Sequence, residues 1–195
     1  MGGEAANVSL ELVRRIQSGE RDAWDALYLR YRDRLLFSIR CRLGPGLRRR
    51  LQSEDILHSV IREAIEDLPR FEARRDHALA HYLHTCVLNK IRKKAEYWAA
   101  ARRSGDRSLS PTVLERVNAT GGAPGYVDSA RYERLERAMA LLPENLREVI
   151  LLRRIEGLSA GESATVLGTT EAAAAKLYAR AMARLGTLAR GDAPA

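Results

Sequence analysis

The sequence predicts an all-α protein built as two small helical domains joined by a flexible linker. Three observations carry that prediction. Apolar residues recur at three- and four-residue spacing through long stretches on both sides of one interval rich in glycine and proline. No stretch alternates polar and apolar residues as a half-buried strand would. Helix start and stop signals punctuate the periodic stretches at lengths ordinary for globular helices. The division falls at residues 8–103 for the first domain, 104–128 for the linker and 129–190 for the second domain. Gly105, Pro111, Gly121, Gly122, Pro124 and Gly125 mark the linker, with short polar residues between them.

In the first domain, Ser9 is placed to cap a short helix that stops at Ser18-Gly19. A second helix runs over about residues 22–43, where Trp24, Leu27, Tyr28, Tyr31, Leu35 and Ile39 share a side. Gly44-Pro45-Gly46 ends it. Ser53 is placed to cap a third helix with the stripe Ile56, Leu57, Val60, Ile61, Ala64, Ile65 and Leu68, closed by Pro69. The fourth starts near Asp76 and runs toward Arg103, ~42 Å at 1.5 Å per residue. Leu79, Leu83, Val87 and Cys86 fall on its buried side, and its second half is basic.

The second domain opens with a helix over about residues 129–142 that carries Leu135, Met139 and Leu142 on one face. Pro143 suits the first position of the next helix, where its missing N–H costs nothing. That helix uses Leu146, Val149, Ile150 and Leu152 and stops at Gly157. Ser159 and Glu162 then form an S-x-x-E capping box for a short helix ending at Gly168. Thr169 or Thr170 caps the last helix, about residues 171–189. A short helix, a glycine turn and a longer helix make a helix-turn-helix. In that motif the second helix enters the major groove with its first turns nearest the bases. Here that places Thr169, Thr170, Glu171, Ala172, Ala173, Lys176 and Arg180 toward DNA. The alanine run 172–175 offers methyl groups rather than hydrogen bonds, so direct base readout is expected to be sparse.

Charge points to nucleic acid or an acidic protein surface as the partner. The 195 residues hold 33 Lys+Arg against 25 Asp+Glu, a net charge of +8. The excess is concentrated in the first 110 residues, and most steeply in Lys90, Arg92, Lys93, Lys94, Arg102, Arg103 and Arg107. Such a cluster can neutralise phosphates, and Tyr97 and Trp98 within it can stack on unpaired bases or close the end of the core. Two cysteines, no secretory leader and no apolar run of ~20 residues favour a cytoplasmic protein over a secreted or membrane-spanning one.

No enzyme site is legible. The glycines at 121–125 lack the Lys-Ser/Thr of a phosphate loop, and neither H-E-x-x-H nor G-x-S-x-G occurs. No cofactor is expected. His77, His81 and His84 share one helical side near Cys86, but a fourth ligand is unassigned and a metal is not expected.

Three segments resemble the extracytoplasmic-function (ECF) sigma factors of bacterial RNA polymerase. Ser53-Glu54-Asp55-Ile56-Leu57-His58-Ser59-Val60 is similar to the family's D-x-x-Q-E/S-V/T helix. Tyr82-Leu83 through Asn89-Lys90-Ile91-Arg92 is similar to its W-L-x-x-I-x-x-N-x-x-x-D/R helix. Leu141-Leu142-Pro143-Glu144-Asn145-Leu146-Arg147-Glu148-Val149-Ile150-Leu151-Leu152-Arg153, with Glu156-Gly157-Leu158-Ser159, is close to L-P-x-x-x-R-E-V-x-x-L-R…E-G-L-S. His58 stands where the family usually has Gln, and Tyr82 where it usually has Trp. Ala175 and Leu177 stand where basic residues are frequent.

The resemblance implies a factor that binds core RNA polymerase and directs promoter-specific transcription initiation, with no chemistry of its own. It implies polymerase binding through Asp55, Ile56, His58, Ser59 and Arg62. The loop 69–77 would capture an unstacked base of the downstream promoter element. Arg74, Arg75, Asn89, Lys90, Lys93, Lys94, Tyr97, Arg102 and Arg103 would contact that element and help melt it. The helix-turn-helix would hold the upstream element as duplex, and residues 104–128 would thread through the polymerase. Family members are commonly held inactive by an anti-sigma partner. Two alternatives stay open at this point: a helix-turn-helix regulator that acts without polymerase, and a sigma-like module that only binds protein.

Overall fold

The computed structural model describes residues 2–43, 45–48, 51–72, 78–103 and 129–190, and the predicted linker at 104–128 lies outside them. All regular structure among the described residues is helical. In chain order the helices are α1 (Gly2–Gln17), α2 (Asp22–Arg42), the single turn α3 (Pro45–Arg48), α4 (Ser53–Asp67), a 3-10 turn (Leu68–Arg70) and α5 (Ala78–Arg103). Then come α6 (Ser129–Ala140), α7 (Glu144–Ile150), a π-helical turn (Leu151–Ile155), α8 (Ala160–Leu167) and α9 (Glu171–Arg190).

The apolar stripes of α1, α2, α4 and α5 meet in one core. Leu12, Leu27, Leu36, Leu57, Leu79 and Leu83 lie at its heart. Leu27, Leu57, Leu79 and Leu83 come from the periodic positions of the sequence, and Leu12 and Leu36 join the core beside them. Ser9 departs from the expected cap. It lies inside α1, is buried, and its hydroxyl accepts a 2.8 Å hydrogen bond from Tyr31 Oη on α2. Ser53 also differs. It is the first residue of α4 behind an extended Gln52 that makes no side-chain cap bond.

A second core joins α6, α7 and α9 through Met139, Leu142, Val149, Leu151, Ala181 and Leu185. Phe37 and Cys41 on α2 belong to it as well, so the end of α2 is shared between the two groups of helices. Pro143 lies one residue before α7 with extended backbone (φ −51°, ψ 146°), and its carbonyl accepts from Arg147 N–H at 3.0 Å. After Ile150 the ladder widens, with Glu156 N–H reaching Leu151 O at 3.0 Å, five residues back. The chain then turns at Gly157, whose φ of 79° favours glycine.

Candidate nucleic-acid interface

The helix-turn-helix is built by local hydrogen bonds. Ser159 Oγ accepts from Glu162 N–H at 3.2 Å while Glu162 Oε2 accepts from Ser159 N–H at 2.8 Å, so the predicted capping box is complete. Gly168 ends α8 in the left-handed conformation, and Thr169 N–H returns to Ala164 O at 2.9 Å. Of the two threonines, Thr170 is the cap: its Oγ1 accepts from Ala173 N–H at 3.2 Å. Ala174, Ala181 and Leu185 form the buried side of α9, the last two within the second core. Arg153, in the π-helical turn after α7, lies over the Tyr178 ring at 5.2 Å and ties α9 to that turn.

With the inward side so fixed, Thr169, Thr170, Glu171, Ala172, Ala173, Lys176 and Arg180 are all exposed. Lys176 and Arg180, four residues apart, put two cations on one side of the helix. Between them and the cap lie the Glu171 carboxylate and the methyl groups of Ala172, Ala173 and Ala175, the methyls suited to apolar contact with a thymine methyl and the two cations to phosphate contacts.

The first group of helices presents a different surface. Glu63 on α4 receives Lys90 Nζ at 2.6 Å and the Cys86 thiol at 3.6 Å, which pins the middle of α5 to α4. Burial, together with Glu63, pushes the Cys86 thiol up to about 11. Lys90 is therefore engaged within the fold, and Asn89 accepts from Arg92 at 3.2 Å. Lys93 and Lys94 are exposed, and Tyr97 keeps half its surface in solvent with its ring edge-on to Trp98 at 5.6 Å. The side chains of Arg102 and Arg103, and the whole of Arg74, Arg75 and His77, lie outside the described residues.

The entry to loop 69–77 is held from two sides. Gln17 Nε2 on α1 donates to Leu68 O at 3.2 Å and to Phe71 O at 2.8 Å. On the other side Tyr82 Oη donates to Asp67 Oδ2 at 2.7 Å, and its ring packs against Phe71 at 5.4 Å. Burial and the Asp67 carboxylate raise the Tyr82 phenol above its ordinary range. Gln17 was not singled out from the sequence, since its partners lie 51 and 54 residues away. On α4, Asp55, His58 and Arg62 are exposed and Ser59 is half-buried. Ile56 is 2% exposed and packs in the core, so it shapes α4 from beneath rather than offering a surface. His81 faces solvent while His84 is buried, so these two histidines do not share an environment. Among the described residues no group of three potential metal ligands gathers.

A capped recognition helix with an exposed cationic side defines a helix-turn-helix DNA-binding protein. Comparison with known proteins refines this. Residues 132–185 match the family described as Sigma-70, region 4. The ECF RNA polymerase sigma factor SigD of Mycobacterium tuberculosis is 30% identical over 170 residues, covering 86% of this chain and 77% of SigD. The ECF RNA polymerase sigma factor BldN of Streptomyces coelicolor is 30% identical over 190 residues, covering 94% of this chain and 67% of BldN. Among solved structures, CnrH in complex with the cytosolic domain of CnrY is similar in fold, with a TM-score of 0.56 at 22% identity over 93% of this chain and 97% of that one. The chain belongs to the ECF sigma factors of RNA polymerase. It acts with core polymerase in promoter-specific transcription initiation, a regulatory role. Among the described residues no helix is long and apolar enough to cross a membrane.

Proposed function

We propose that this sigma factor divides its work between the two groups of helices. Residues 8–103 bind the polymerase and the downstream promoter element, 104–128 form the linker, and 129–190 bind the upstream element. Asp55, His58, Ser59 and Arg62 on α4 meet the polymerase. Arg74, Arg75, Lys93, Lys94, Tyr97, Arg102 and Arg103 serve the downstream element, while Asn89 and Lys90 brace the helix that carries the cluster. Thr169, Thr170, Glu171, Ala172, Ala173, Lys176 and Arg180 face the upstream duplex. The observation that carries this reading is the exposure of all seven upstream residues on a helix whose other side is fixed by Ala174, Ala181 and Leu185. The chain contributes specificity and no catalytic group; the polymerase performs the chemistry, in the cytoplasm. CnrH binds the cytosolic domain of CnrY, and an inhibitory protein partner of that kind is proposed here too.

The test is run-off transcription with purified core polymerase. The wild-type chain is expected to give promoter-specific transcripts. Asp55→Arg with Arg62→Glu is expected to abolish them while leaving thermal melting unchanged. A chain that forms no stable complex with core polymerase would refute the reading. Tight specific DNA binding that ignores the α4 changes would favour a regulator acting alone.

A further inference from the structure

We propose that Arg42, His84, Glu148 and Glu156 form a clasp that holds the free chain closed, with α7 docked on the end of α2, and that the chain must open to serve the polymerase. The second half of the proposal rests on the function proposed above; the clasp itself does not.

The cluster joins the two groups of helices at one point. Arg42 ends α2 and is almost wholly buried. Its guanidinium meets Glu148 in a forked pair, Nε to Oε2 at 3.1 Å and Nη2 to Oε1 at 2.8 Å. The same Nη2 reaches Glu156 Oε1 at 2.7 Å, and Nη1 donates to Ser38 Oγ within α2. His84 on α5 completes the group, with Nδ1 2.7 Å from Glu156 Oε1 and Nε2 3.9 Å from Glu148 Oε1. Burial works to lower the Arg42 pKa, but Glu156 and Glu148 outweigh it and the net shift is upward. Around the cluster, Arg40 reaches Glu136 on α6 at 3.4 Å, and Phe37 packs edge-on to Tyr132 at 6.0 Å.

Four features mark this contact as one made to be broken. Buried ion pairs gain little net stability, because desolvation offsets attraction, yet they fix one geometry sharply. The closed form also leaves Glu156 Oε2 and His84 Nε2 without a hydrogen bond, a cost that parting the helices relieves. From the α2 side the apolar share of the contact is small, chiefly Phe37 and Cys41. Finally, a connecting segment of the length of residues 104–128 can reach up to ~85 Å when extended, so chain length allows the two groups to part. Closure holds α9 and the basic half of α5 at one separation, whereas two promoter elements on a polymerase impose their own.

Cys41 reports the state of the clasp. Its thiol is covered by the second core, and burial, followed by Glu136, pushes it up to about 12. It reacts with a maleimide only when access opens. In the full-length chain carrying Cys86→Ala, Cys41 is expected to label slowly. Arg42→Met and, separately, Glu156→Gln are each expected to raise the rate at least tenfold with helicity retained. The double variant is expected to add little, since both changes break one clasp. The opened variants are also expected to bind core polymerase three- to tenfold more tightly. Unchanged labelling in both single variants would overturn the clasp. Faster labelling with unchanged or weaker polymerase binding would overturn its inhibitory role. A wild-type chain that binds no core polymerase at all would instead refute the function proposed above and leave the labelling result standing.

Discussion

Leu83 has no exposed surface, and Leu29, on the outer side of α2, keeps 72% of its surface in solvent. The same substitution should therefore have opposite outcomes. Leu83→Asp is expected to abolish cooperative melting of the first group of helices, because a buried carboxylate without a partner is costly. Leu29→Asp is expected to move stability by no more than ~0.5 kcal/mol. Thermal melting followed by circular dichroism checks both. The core position of Leu83 was legible because it repeats every three or four residues with Leu79 and Val87. The place of Ile56 was harder, since it falls in the segment that resembles a polymerase-binding helix, and the fold uses it for packing. Arg42, Glu148 and Glu156 were not legible as a group. Their pairing spans 106 and 114 residues, and no local pattern encodes which charges meet across such distances.

At the level of elements, the helix-turn-helix was readable because its determinants are local. Ser159, Glu162, Gly168 and Thr170 each act within a few residues of their own position. Ser159→Ala is expected to cost ~1 kcal/mol, and each such kcal/mol lowers the midpoint by ~4–8 °C in a unit of 60–100 residues. Upstream-element binding should weaken alongside, while polymerase binding through α4 is unaffected; melting curves and a binding titration separate the two. Helix ends were less readable. Ser9 reads as a cap in the sequence because serine before an apolar run usually is one, yet α1 begins earlier and Tyr31 gives Ser9 a buried role. The widened turn at 151–155 has no sequence signature of the kind that glycine or proline leaves.

The whole molecule carries a net charge of +8, but its arrangement decides what that charge can do. Lys90 is absorbed by Glu63, while Lys93 and Lys94 remain on the outer side of α5. Lys93→Ala with Lys94→Ala is expected to reduce the slope of log affinity against log salt by ~1.4–1.8, at ~0.7–0.9 per lost phosphate contact. The loss should be similar across promoter sequences, since phosphate contacts position without specifying. Titrating promoter binding by the polymerase complex between 50 and 200 mM salt, as an approximate working range, measures it.

The π-helical turn after Ile150 sets the angular position of Glu156 relative to α7. In an unbroken α-helix, side chains eight residues apart stand about 80° out of line. A segment bonded five residues back advances more slowly, at about 82° per residue, so the five steps from Leu151 to Glu156 bring Glu156 to within ~10° of Glu148. Backbone pitch, rather than any side chain, thus aims both carboxylates at Arg42. The ion pairing across the molecule is tuned by one widened turn.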